Sequence, residues 1–144
     1  MLKKATSADL AVVAELAVRL WPDHGAEELE AEFAPMLENA DCAVFLLYEA
    51  EIPVGFAQCG LRRDYVEGTE SSPVGYLEGI YVAGEYRRKG YARLMLTACE
   101  VWAKSRSCDE FASDCELYNE ESLRFHMNMG FAEANRIICF VKKI

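Results

Sequence analysis

The sequence has no stretch approaching the ~20 apolar residues that span a bilayer. An acid, Asp9, follows Met1-Leu2-Lys3-Lys4 before any long apolar run, which is not how a secretory leader reads. Histidine is scarce, with only His24 and His126, and the six cysteines (Cys42, Cys59, Cys99, Cys108, Cys115, Cys139) include no Cys-x-x-Cys pair. That supply offers no closely spaced zinc ligands and no evident cysteine–histidine dyad for covalent catalysis. The thiols read instead as small buried hydrophobes in a reduced cytosol. Positive charge is in deficit: 15 Lys and Arg stand against 24 Asp and Glu, a net charge of −9. A general nucleic-acid binder carries a basic footprint, so the total argues against one and favours a cationic partner or simple solubility. The Walker loop and the dinucleotide Gly-x-Gly-x-x-Gly are both missing. Repeats, low-complexity tracts and linkers are missing too. What remains is 144 residues, 52% hydrophobic and 27% charged, the size and balance of one globular domain over residues 1–144.

Periodicity divides the chain into alternating strands and helices. Lys3 to Ala5 is a short strand, and Thr6-Ser7-Ala8-Asp9 has the Ser/Thr-x-x-acid form of a helix start. Leu10, Val13, Leu16, Ala17 and Leu20 then recur at helical spacing, with Glu15 and Arg19 four apart on the other face, until Trp21-Pro22. A second helix covers Ala26 to Asn39, disturbed near Pro35. Ala43 to Tyr48 and Val54 to Arg62 read as an antiparallel hairpin, the second strand with Val54, Phe56 and Gln58 on one face. Asp64 to Pro73 is a polar loop. Gly75 to Val82 is a strand, and Gly90 to Lys104 is a helix whose Tyr91, Leu94, Met95, Ala98, Cys99 and Trp102 mark one face. Glu110 to Asp114 is a short strand, Glu120 to Met129 a helix capped by Gly130, and Ala132 to Val141 a last strand. Strand, helix, strand from 75 to 115 implies a right-handed parallel crossover.

One segment is basic inside an acidic chain: Tyr86-Arg87-Arg88-Lys89-Gly90-Tyr91-Ala92. It falls between a strand and a helix start, where backbone N–H groups lack intrahelical acceptors and the helix dipole is positive. Gly90 lets a ligand approach the backbone and Ala92 keeps the first turn small. The parts suit a pyrophosphate; a solvated basic turn is the alternative.

Arg87-x-x-Gly90-x-Ala92, after the strand Tyr76-Leu77-Glu78-Gly79-Ile80-Tyr81-Val82, resembles the acyl-CoA-binding motif of the GNAT N-acetyltransferases. Asn119 and the run from Phe125-His126 to Gly130-Phe131 strengthen the resemblance. It implies a mixed α/β fold, with a central sheet of antiparallel N-terminal strands and a parallel β-α-β unit that binds acetyl-CoA. Trp21-Pro22-Asp23, the loop from Asp64 to Gly75, Leu77-Glu78-Gly79-Ile80-Tyr81-Val82, Glu100-Val101-Trp102-Ala103-Lys104 and Glu110-Phe111-Ala112-Ser113-Asp114 resemble the aminoglycoside 6′-N-acetyltransferases. These are resistance enzymes that move acetyl from acetyl-CoA to an amino sugar. The resemblance also suggests a homodimer, for which the last strand and an exposed sheet edge supply a means.

Glu78 interrupts an otherwise apolar strand, sharing by simple alternation a face with Tyr76, Ile80 and Val82. A buried carboxylate needs a partner or a task. Asp114 ends the next strand, which a parallel crossover brings nearby, at the end of the sheet where ligands of α/β folds usually bind. Each acid has a structural alternative, an arginine partner or a loop cap. In the functional reading an acidic wall attracts a polycationic sugar. Glu78 accepts the proton that the attacking ammonium must lose, directly or through one water, and Asp114 anchors the substrate. The resemblance implies Trp21, Tyr65, Glu78 and Asp114 as substrate contacts. Trp21 and Tyr65 would pack on the sugar rings and Glu70 would add charge from the loop; Trp21 has the alternative of stapling a helix end, Tyr65 of packing and Glu70 of plain solvation, and His24, close to Trp21, reads as an exposed loop residue with substrate contact as its alternative.

At the donor end, backbone N–H groups of Ile80, Tyr81 and Val82 are expected to hold the pantetheine arm and polarise the thioester carbonyl. Arg87, Arg88, Lys89, Gly90, Tyr91 and Ala92 take the diphosphate. Asn119 is either a pantetheine contact, by resemblance, or a helix N-cap. Many members of the superfamily have a tyrosine near the thiol as general acid; His126 stands there in this chain and has a packing role as its alternative. After Phe131 related resistance enzymes can show an acid where this chain has the neutral Asn135, with Glu133 two residues earlier. Direct transfer in a ternary complex is expected. The rivals are acetylation of another cationic amine, such as a polyamine or peptide, and a non-catalytic acyl-CoA sensor.

Overall fold

The computed structural model describes residues 1–144. Asp9 opens the first helical segment. Its carboxylate accepts from the Thr6 backbone N–H at 2.9 Å and from Lys3 Nζ at 2.6 Å, tying the end of β1 (Leu2–Lys4) to the start of α1 (Leu10–Leu20). The Glu15–Arg19 pair forms on the outer face of α1, and Val13, Leu16 and Ala17 are buried on the inner one. α2 (Ala26–Glu38) follows, with Pro35 in its last turn. β2 (Cys42–Glu49) and β3 (Ile52–Arg62) form the expected antiparallel hairpin, turned at Ala50 and Glu51, which both have positive φ. β4 (Val74–Val82), α3 (Tyr91–Ser105) and β5 (Phe111–Ser113) make the crossover, and α4 (Glu120–Asn128) closes on Gly130 at φ 92°. The sheet order is β1-β2-β3-β4-β5, antiparallel throughout except for the parallel pair β4–β5.

Two apolar layers sandwich this sheet. Under α1 and α2, Leu16, Leu29, Phe33, Val44, Leu46 and Phe56 pack together. Under α3, Met95, Leu96, Cys99 and Trp102 meet Val54, Ala57, Cys59 and Leu77. The inner stripe of α3 is therefore rotated from the expected one. Leu96 and Ala103 are buried and Leu94 is half exposed, because Ala92, Leu96, Cys99 and Ala103 complete the face that the sheet can reach.

Two bulges change which way strand residues point. Leu47 pairs with Gly55 and Tyr48 with Pro53, so Val54 is the extra residue and turns to the α3 side, away from Phe56 and Gln58. In β4, Gly79 pairs with Gln58 and Leu77 with Cys59, leaving Glu78 without an opposite number. Such a bulge breaks simple alternation and re-aims a side chain. Ile80 and Val82 pack on the α3 side, whereas Glu78 faces the α1/α2 side, so the shared face expected for the three does not form.

The expected last strand, Ala132 to Val141, is also absent. These residues find no ladder partner in the chain, and Ile137, Ile138, Phe140 and Val141 are exposed. Only the start of the tail is tied down: Asn135 donates to Glu67 at 2.8 Å, and Ala134 lies against Gly68 in the 63–73 loop. The cysteines divide similarly. Cys59, Cys99 and Cys108 are buried as expected, and a Cys59 hydrogen bond together with burial pushes the Cys99 thiol well up, but Cys115 and Cys139 are exposed.

Phe33 joins α2 to the sheet through an edge-on contact with Phe56 at 6.4 Å and a tilted one with Trp21 at 6.4 Å. Phe33→Ala is expected to cost about 3–5 kcal/mol, measured by urea unfolding, with loss of the Trp21 environment by fluorescence.

Candidate functional site

The β4–β5 ladder holds only three pairs, ending at Leu77 with Ser113. β4 runs on to Val82, so its edge from Glu78 onward has no strand beside it. This opening is the centre of the site. On one side of it lies a hollow of main-chain donors, and on the other an acidic cavity.

The donor hollow is formed by the start of α3. Gly90 is its N-cap in the left-handed region, φ 79°, and Arg88 also has positive φ. The N–H groups of Arg88, Lys89, Gly90, Tyr91, Ala92 and Arg93 have no acceptor in the protein. A Cβ built on Gly90 would meet nothing within 4 Å, so the approach is open. This is the arrangement that receives an anion at a helix N-terminus. The cationic side chains behave differently from expectation, since most are held by carboxylates. Lys89 pairs with Glu49 at 3.0 Å, and the Tyr91 hydroxyl donates to the same carboxylate. Those two donors, Tyr91 first, hold Glu49 below the usual carboxylate range. Arg87 donates from Nε to the Val82 carbonyl at 3.0 Å and pairs with Glu121 at 3.2 Å. Arg88 is the one loop cation without such a partner.

At the far side of the opening, Asn119 caps α4, its Oδ1 accepting from the Ser122 N–H at 3.0 Å. The capping alternative is thus realised. His126 is engaged at both ring nitrogens. Nδ1 lies 2.7 Å from the Ser122 carbonyl, which can only accept, so Nδ1 carries the hydrogen. Nε2 lies 2.8 Å from Ser113 Oγ. Ser113 Oγ is also 3.3 Å from the Leu77 carbonyl, at the last rung of the ladder. Its single hydrogen serves the neutral ring or, when the ring is charged, the carbonyl.

The acidic cavity, about 230 Å³, is lined by Trp21, His24, Leu29, Glu32, Gln58 and Glu78. Trp21 ends α1 and lies over Gly79, where a Cβ would come within 2.7 Å of the ring. Stapling and lining are therefore one role: the packing on Phe33, Phe56 and Gly79 sets the indole as a wall. His24 turns to Glu28 at 2.8 Å, and that carboxylate raises its pKa. Glu78 is not a free carboxylate. Arg62 reaches it through Nε at 3.3 Å and NH2 at 2.9 Å, and the same guanidinium lies 3.4 Å from the centre of the Tyr76 ring. Tyr76 in turn donates to Asp114, and burial, then that carboxylate, drives the phenol's pKa far up. Asp114 is outside the cavity and joined to it by this chain of contacts. Tyr65 is 76% exposed on the 63–73 loop and Glu70 is exposed; neither lines the cavity. The loop is tethered by Glu110, which accepts from the Ser71 hydroxyl and, at 2.8 Å, from the Glu70 N–H.

The sequence matches the acetyltransferase (GNAT) family over residues 10–131. This chain belongs to the GNAT family. It is 41% identical over 143 residues to an aminoglycoside N(6′)-acetyltransferase type 1 of Acinetobacter haemolyticus, covering 99% of this chain and 98% of that one. A Serratia marcescens protein of the same name is 40% identical over 130 residues, 90% of this chain and 89% of its own. Among solved structures, AAC(6′)-Iy in complex with the bisubstrate analogue CoA-S-monomethyl-acetylneamine superimposes with a TM-score of 0.96 at 32% identity, covering 100% of this chain and 98% of that one. The apo structure of AAC(6′)-IG from Acinetobacter haemolyticus gives 0.95 at 38% identity, over 100% and 99% of the two chains. The mixed sheet with its parallel β4–β5 unit is thus the GNAT fold, as the motif implied.

Glu32, Arg62 and Ser113 belong to the site although no sequence motif singles them out. Glu32 lies one helical turn beyond Leu29, and that spacing was a legible signal. Arg62 and Ser113 matter only because of where the bulge and the last rung fall. Gly90→Val places a β-branched residue at positive φ and fills the open approach. CoA binding should weaken by about tenfold or more in a calorimetric titration, the loss expected when a helix-start anion site is crowded, with aminoglycoside binding little changed; unaltered CoA affinity would refute the main-chain hollow.

Proposed function

We propose that this GNAT domain, residues 1–144, transfers acetyl from acetyl-CoA to the 6′-amino group of an aminoglycoside, by direct attack in a ternary complex. The observation that carries this is the two-sided opening along β4: unpartnered main-chain donors on one flank and an acidic cavity walled by Trp21 on the other. The near-full-length identity to aminoglycoside N(6′)-acetyltransferases supports the choice of acceptor.

In this reading the N–H groups from Arg88 to Arg93 hold the diphosphate, with Arg88 as the added cation and Arg87, Lys89, Tyr91 and Ala92 shaping the loop. The exposed edge at Ile80, Tyr81 and Val82 holds the pantetheine arm and polarises the thioester carbonyl. Asn119 acts through its cap, by setting the start of α4. Glu78, with Glu32, attracts the ammonium groups; Trp21 stacks on a sugar ring, and Tyr65 and Glu70 close from the loop. The substrate nitrogen loses a proton to Glu78, directly or through a water, and attacks the acetyl carbon. The C–S bond breaks and the thiolate leaves, taking a proton through Ser113 from the charged His126 ring, while the new amide nitrogen gives up its second proton to water. Asp114 anchors the acceptor side by way of Tyr76. The need for acetyl-CoA and the free thiols support a cytoplasmic enzyme, and no helix is long and apolar enough to cross a membrane.

A CoA-release assay should show turnover with kanamycin or tobramycin and little with spermidine or basic peptides. Turnover of the polyamine alone would sink the antibiotic reading, and CoA binding without amine-dependent release would indicate a sensor. Glu78→Gln should lower turnover by about 10²-fold.

The bare tail supports a homodimer in which Ile137 to Val141 pair with a second copy. Ile138→Asp with Phe140→Asp should then shift sedimentation from dimer to monomer; a monomeric unaltered protein would exclude the pairing.

A further inference from the structure

A site that recruits a polycation has no evident use for an arginine beside it, yet Arg62 occupies the Glu78 carboxylate that lines the cavity. Every hydrogen bond that the Glu78 carboxylate makes within the protein goes to this one guanidinium. The pair is half open to water, with side-chain exposures of 43% for Arg62 and 34% for Glu78. Such pairs are weakly held, since water screens the attraction and ordering two long side chains opposes it. Arg62 also has a second resting place. Its guanidinium is already stacked on Tyr76, whose hydroxyl is bonded to Asp114. If Glu78 is taken by another cation, Arg62 keeps an aromatic face and a nearby carboxylate.

We infer that Arg62 is a stand-in for the acceptor's ammonium group, so that acceptor binding at Glu78 is an exchange of one cation for another. This rests on the acetyl-transfer reading above and adds a residue that sets acceptor specificity. The exchange has two physical consequences. Without substrate, Arg62 offsets the negative charge of Glu78, which it bonds, and of the nearby Asp114. On binding, only an amine that presents its charge at Glu78 with the hydrogen-bonding reach of a guanidinium displaces it. A singly charged amine gains little from the swap. A polycation gains at Glu78 and again at the neighbouring acids. Arg62 is thus a discriminator for multiply charged acceptors that does not itself touch the reacting atoms.

The test uses Arg62→Met, which removes the charge and retains a flexible stem for the Tyr76 ring, with Arg62→Gln as a second variant in case the first folds poorly. Kanamycin affinity, measured by calorimetry, should rise several-fold in both. The KM for acetyl-CoA should stay unchanged, and selectivity for kanamycin over a simple monoamine should fall. In a Glu78→Gln background the gain should vanish, because nothing remains to be released. Weaker or unchanged kanamycin binding in the Arg62 variants would overturn the exchange, as would an equal gain with Glu78→Gln. Failure of the unaltered enzyme to acetylate kanamycin would overturn the functional reading itself, and the exchange with it.

Discussion

Everything in this molecule depends on a ladder that stops early. β5 contributes three residues and pairs only as far as Leu77, while β4 continues from Glu78 to Val82. A sheet edge inside a fold is an unsatisfied row of donors and acceptors, and natural proteins cover such edges unless they serve a purpose. Here the start of α3 and the cap of α4 stand around the gap, so an extended ligand arm can complete the sheet. The bulge at Glu78 falls at the same point along β4. It turns the carboxylate to the opposite side of the strand from Ile80 and Val82. In the proposed reading one strand thus addresses two chemistries, with a nucleotide thioester along its edge and an amine on its α1/α2 face.

Charge in the site is arranged by compensation. Lys89 with Glu49, Arg87 with Glu121 and Arg62 with Glu78 are all exposed or half-exposed pairs. None adds much stability, because water screens both partners. Their effect is on geometry. Glu49 draws the side chains of Lys89 and Tyr91 toward β2, so the main chain between them faces outward with its N–H groups unspent. The basic loop is therefore less a cluster of free cations than a backbone surface held open by acids. In the proposed reading this lets an acidic chain bind a polyanion: a few oriented dipoles decide the matter locally, and the net charge of −9 acts on the acceptor instead.

Much of this was legible in the residues and some was not, for definite reasons. Periodicity is local, and helices whose apolar stripe faces one sheet, such as α1, can be read from spacing alone. So can the crossover from Gly75 to Asp114, because parallel strands need a long connection. The basic loop proposed for the diphosphate is visible since its chemistry lies in consecutive residues. Bulges are different. One extra residue at Val54 or Glu78 has no signature in alternating hydrophobicity, and each reverses the face of the residues after it. Arg62 and Glu78 are sixteen residues apart, and their meeting requires the β3–β4 register. The segment from Ala132 to Val141 has the composition of a strand, but composition states a preference and not a partner. Asn119 was balanced between cap and ligand, and the bond to Ser122 realises the cap.

The tail's attachment to the 63–73 loop has a consequence for order. Chain ends ordinarily fray first. Here the same few contacts, Asn135 on Glu67 and Ala134 on Gly68, belong to both the chain end and the segment that carries Tyr65 and Glu70. Loosening one frees the other, and whatever quiets the last residues removes conformational entropy from the loop before any sugar arrives. In the proposed reading, substrate affinity is thereby linked to the order of the chain end.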